Sequence, residues 1–151
     1  MPSFLLQDLD PLRVAAGLVD LDGTVLLHTQ RPWHGTGGSV LLFDPVWALT
    51  ARAGRIESRG PVPVVQRPAA TIGGRIEQLR SLAPDDDGPG MPLLAGYLGY
   101  DLGAGRFGCA HPEATPFDLP DAWIGCYDTA LVFGPDRPPR LLLRDLSAYG
   151  G

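Results

Sequence analysis

The run Trp123-Ile-Gly-Cys-Tyr-Asp-Thr-Ala-Leu-Val-Phe133 constrains the fold more than any other part of the chain. Read as a strand, it places Trp123, Tyr127, Leu131 and Phe133 on one face and Ile124, Cys126, Ala130 and Val132 on the other. Both faces are apolar, so water must be excluded from both, which predicts an inner strand of a layered sheet. Composition points the same way. Twenty glycines and sixteen prolines in 151 residues favour turns and short strands over long helices. Hydrophobic residues at 44% and charged residues at 19% suit a single folded domain.

The remaining segments fill in a β-rich plan. Val25–Thr29 and Ser39–Phe43 are short apolar runs rich in strand formers, separated by a Gly-rich loop. Trp47–Arg52 and Arg55–Arg59 flank Ala53-Gly54, a hairpin turn. Val62–Pro68 is broken up by prolines and reads as an extended connector. In Ala69–Leu82, Ile72, Ile76, Leu79 and Leu82 recur at helical spacing, which predicts an amphipathic helix. Pro84–Gly90 is a solvated loop, Pro92–Tyr100 a strand, Gly134–Pro139 a turn, and Arg140–Leu146 a final strand. The fold class expected is α+β: mainly antiparallel sheet in sandwich layers, about seven strands, with one or two helices.

Charge and residue usage exclude several functions. Net charge is −5 and no basic cluster exists, so the electrostatic footprint of nucleic-acid binding is missing. All twelve basic residues are arginine, which rules out Schiff-base or P-loop lysine chemistry within these residues. Cys109 and Cys126 make no disulfide framework. No apolar run approaches the roughly 18 residues of a membrane span, and a cytoplasmic protein is expected.

Four motifs invite a catalytic or ligand-binding reading. Gly103-Ala-Gly-Arg-Phe-Gly108 matches G-x-G-x-x-G, but Pro112, Pro116 and Pro120 follow where a dinucleotide site needs a helix. Leu18–Val25 contains Asp20-Leu-Asp22-Gly-Thr, which resembles the first motif of the haloacid-dehalogenase phosphatases, with Asp20 as nucleophile and Asp22 as acid/base. That reading needs parallel βαβ alternation and a late acidic pair; the competing reading is an Asp-Gly turn between edge strands. Cys109 and His111, with Cys126 and His28, lack the second closely spaced pair of a zinc site, so no metal is expected. Asp101 and Asp128 lie in or beside apolar strands and are expected to be satisfied structural carboxylates.

Two stretches, Leu93-Leu-Ala-Gly-Tyr-Leu-Gly-Tyr-Asp-Leu-Gly103 and Phe117-Asp-Leu-Pro-Asp-Ala-Trp-Ile-Gly-Cys-Tyr-Asp-Thr-Ala-Leu-Val-Phe133, resemble a block of the chorismate-utilising synthases. The match is nearest to component I of aminodeoxychorismate synthase, of the para-aminobenzoate branch of folate synthesis. Anthranilate synthase component I is the same-family alternative. Residues 26–29 and 39–45 fall where that family has further strands, so the resemblance covers roughly residues 20–146. It is carried by Gly96, Gly99, Tyr100, Asp101, Gly103, Pro120, Asp121, Gly125, Tyr127 and Asp128, as structural motif positions.

The resemblance implies an N-terminal, non-catalytic domain over residues 1–151. In the family, chorismate and Mg²⁺ bind a C-terminal half, where aminodeoxychorismate synthases also use a lysine; neither that half nor any lysine is found here. No catalytic residue and no cofactor is therefore assigned to this chain, and the implied partner of the complete enzyme is a glutamine amidotransferase subunit. The family's tryptophan pocket maps onto His28, Thr29 and Ser39, although Gly35–Ser39 departs from its pattern. Readings from other classes are the Asp20/Asp22 phosphatase and a free-standing amino-acid-binding module. The chain alone is also expected to be oligomeric or poorly soluble, because the two-sided run 123–133 calls for covering layers.

Overall fold

A computed structural model describes residues 9–28, 38–82, 94–100, 102, 119–134 and 137–146. In chain order the elements are α1 (Pro11–Gly17), β1 (Val25–Leu27), β2 (Ser39–Leu42), β3 (Trp47–Arg52), β4 (Arg55–Arg59), α2 (Ile72–Leu82), β5 (Leu94–Leu98), β6 (Ala122–Cys126), β7 (Thr129–Gly134) and β8 (Arg137–Leu143). The strands form two four-stranded sheets, ordered β1-β2-β7-β8 and β4-β3-β6-β5, and every pairing is antiparallel. The fold is α+β. It divides into two compact units, one holding α1 and the first sheet, the other holding α2 and the second.

In the first unit, register lines up Leu26, Leu41, Leu131 and Leu141 across the four strands, on one face of the sheet. Leu41, Leu131 and Phe133 are buried there, and Val14, Ala15 and Leu18 pack on them from α1 and the turn after it. Burying side chains of this size contributes about 1.5–3 kcal/mol each. Helix α1 lies where the sequence reading placed no element. Its start is nevertheless encoded: Asp10 is the N-cap, its carboxylate accepting the Arg13 N–H at 2.9 Å, and Pro11 occupies the first turn. The expected turn at 134–139 is a strand from Arg137 onward. The edge position of β8 lets one of Pro138 and Pro139 face the open side without costing a ladder bond, and both fall where the β7–β8 register shifts between Val132 and Gly134.

In the second unit, β3 and β4 form the expected hairpin, with Ala53 and Gly54 both at positive φ (48° and 74°). Helix α2 begins three residues later than the periodicity suggested. The Ala69 N–H donates instead to the Gln78 side-chain oxygen at 2.9 Å, while the Gln78 amide nitrogen donates to the Arg67 carbonyl at 2.9 Å. These bonds staple the 62–68 connector to the helix, whose Ile72 and Leu79 are buried. Strand β5 lies so close to β6 that a Cβ at Gly96 would collide with the Trp123 carbonyl oxygen and approach Ile124 Cα to 2.8 Å.

The run 123–133 is two strands, not one. Tyr127 and Asp128 break it, sending β6 to the interior of one sheet and β7 to the interior of the other. Its partner run breaks at the same place: β2 pairs with β7, and β3, the next strand, pairs with β6. Four residues (43–46) separate Leu42 from Trp47, whereas three (127–129) separate Cys126 from Ala130. The surplus residue makes the break bulge-like and puts Asp44 at a positive φ of 52°. Burial on both faces is thus met twice, once in each sheet.

Leu41→Ala should cost about 2–5 kcal/mol in urea unfolding, because the cavity opens under α1. Leu141→Ala, in the same cross-strand row but 54% exposed, should cost well under half of that. Gly96→Ala should destabilise by about 1–3 kcal/mol, because backbone rather than a movable side chain fills the Cβ position.

Candidate functional site

Three of the residues that carry the family resemblance, Gly99, Pro120 and Asp121, meet Tyr97 and Ala53 in one hydrogen-bonded cluster in the second unit. Strand β5 brings Tyr97 and Gly99 alongside Pro120 and Asp121, which lead into β6. The Tyr97 hydroxyl donates to the Pro120 carbonyl at 3.2 Å, and the Gly99 N–H donates to the Asp121 carbonyl at 2.7 Å. A Cβ at Gly99 would sit 2.7 Å from that same oxygen. The Asp121 carboxylate accepts the Ala53 N–H at 2.7 Å and so caps the β3–β4 turn. The Tyr97 phenol is held above its ordinary range, chiefly by desolvation; Arg52 opposes the shift and Asp121 adds to it. Gly125 is buried in β6, between Ala48 of β3 and Ala95 of β5. Tyr100 is fully exposed. Asp101 and Gly103 lie outside the described residues.

Tyr127 and Asp128 anchor the first unit. Tyr127 is completely buried and its hydroxyl donates to the Gly23 carbonyl at 2.6 Å, across 104 residues of sequence. The Asp128 carboxylate accepts the Thr129 hydroxyl at 2.8 Å, and its main-chain carbonyl accepts the Arg144 N–H at 2.7 Å. In this structure Asp128 is a half-buried carboxylate with a hydrogen-bond partner. Gly23 as the acceptor for Tyr127 had no sequence signal, since a pairing over that distance leaves no local pattern.

Of the three pocket candidates, His28 and Ser39 are brought together and Thr29 lies outside the described residues. The β1–β2 register continues past Leu27 and Val40, leaving the His28 Nδ1 2.7 Å from the Ser39 Oγ. Ser39 is 3% exposed, opposite Phe133 of β7, while His28 is solvent-facing. Which of the two atoms donates follows from the imidazole tautomer.

The competing motifs do not assemble. Asp20 and Asp22 are exposed in the turn between α1 and β1, so the motif follows a helix and not a strand. The Thr24 hydroxyl is directed at the Leu18 and Leu21 carbonyls, at 2.9 and 3.0 Å, which closes that turn. No parallel strand pair exists among the described residues, so the phosphatase fold is not what this chain adopts there. Cys126 is buried, and Cys109 and His111 lie outside the described residues, as does Gly103–Gly108. Among the described residues no group of three or more His, Cys, Asp or Glu side chains is placed to hold a metal ion. No described helix is long and apolar enough to cross a membrane.

No protein-family model matches the sequence, and no curated protein matches it. Among solved structures the chain is similar to anthranilate synthase component I from Streptococcus pneumoniae, with a TM-score of 0.52 and 18% sequence identity. The alignment covers 99% of this chain and 32% of that one, so the chain spans about a third of the length of the structure it matches. At that identity the likeness establishes a shared fold.

Tyr127→Phe should cost about 0.5–1.5 kcal/mol in denaturant unfolding, because it removes the hydroxyl that closes on Gly23. Tyr97 has a pH signature. A folded pKa above the 10.0 of free tyrosine means that its contribution to stability is complete below pH 10.0 and is lost as pH rises through the folded value. Tyr97→Phe should therefore flatten the alkaline limb of a stability–pH curve and leave the neutral region unchanged in slope.

Proposed function

We propose that this chain is a non-catalytic scaffold module of a chorismate-utilising synthase, and that the complete enzyme aminates chorismate on the para-aminobenzoate branch. The observation that carries the reading is the coincidence of motif and fold. The Leu93–Gly103 and Phe117–Phe133 segments supply β5, β6 and β7, within a fold shared with anthranilate synthase component I over 99% of the chain. In this reading the module supplies sheet and turn structure. Chorismate and Mg²⁺ are bound by a separate chorismate-binding part, and a glutamine amidotransferase subunit delivers ammonia.

The anthranilate branch is the second reading, and two observations favour it. The solved relative is an anthranilate synthase component I, and His28 and Ser39 meet where the tryptophan pocket of that family maps. A pocket that binds tryptophan would make the module a sensor of the end product of that branch. A free-standing amino-acid-binding module rests on the same two side chains.

The 151-residue chain alone should leave chorismate unchanged. Combined with a chorismate-binding part and an amidotransferase subunit, it should raise formation of aminated product over that of the other two components, as followed by chromatography. No increase in either aminodeoxychorismate or anthranilate would sink the family reading. Saturable heat of tryptophan binding, lost in Ser39→Ala, would move the assignment to the anthranilate branch or to the amino-acid-binding module.

A further inference from the structure

We draw no further inference here: the strongest candidate, the first turn of α2, where the Nη1 of half-buried Arg75 has no hydrogen-bond partner among the described residues, rests on a helix N-terminus at which no second observation points to a ligand.

Discussion

Everything else in this chain is arranged around one requirement, that the segment 122–134 be buried on both faces. A single strand of that length would need deep cover from end to end. The chain instead breaks the segment at Tyr127 and Asp128 and makes each half an interior strand of a different sheet. Its pairing partner, 39–52, breaks in step, so one antiparallel ribbon supplies the two central strands of both sheets. The hairpin partner β4, the edges β1, β5 and β8, and helix α1 then flank a centre that is already paired. The extra residue in 43–46 keeps register on both sides of the break, because a one-residue slip would turn an entire strand inside out.

The polar groups of the motif block serve the same end. Pro120 and Asp121 give up both main-chain carbonyls and one carboxylate to Tyr97, Gly99 and Ala53, tying β5, β6 and the β3–β4 turn into one unit. Tyr127, buried at the break, gives its hydroxyl to Gly23, and Asp128 its carbonyl to Arg144. Atom by atom, the described polar groups of the block hold strands and turns together.

The sequence made the strands legible wherever alternation and turn chemistry agreed. Trp47–Arg52 and Arg55–Arg59 around Ala53-Gly54 are the clear case, and the helix through Ile72 and Leu79 is another. Three features were not legible in this way. The break at Tyr127-Asp128 lacks glycine and proline, and the two-residue period runs through it unchanged, so only the separate pairing of each half reveals it. The start of β8 was hidden by Pro138-Pro139, which mark a turn unless the strand lies at an edge, and edge position is a tertiary fact, whereas its continuation from Arg140 was legible. Helix α1 was legible only through Asp10-Pro11, because its seven residues are too few to show a period. The approach of His28 to Ser39 depends on the β1–β2 register, which a sequence separation of 11 does not specify.

Resemblance and geometry bear on different questions. The fold shared with anthranilate synthase component I spans nearly all of this chain and about a third of that one, and at 18% identity it bears on the fold alone. Within the chain, chemistry-bearing side chains fall into two groups. Tyr97, Asp121, Tyr127 and Asp128 are committed to internal hydrogen bonds that hold strands and turns in place. His28 differs: its ring is solvent-facing while its Nδ1 lies 2.7 Å from the hydroxyl of buried Ser39. That contact ties the end of β1 to β2 in the first sheet, while Tyr97, Gly99 and Asp121 tie β5, β6 and the β3–β4 turn together in the second.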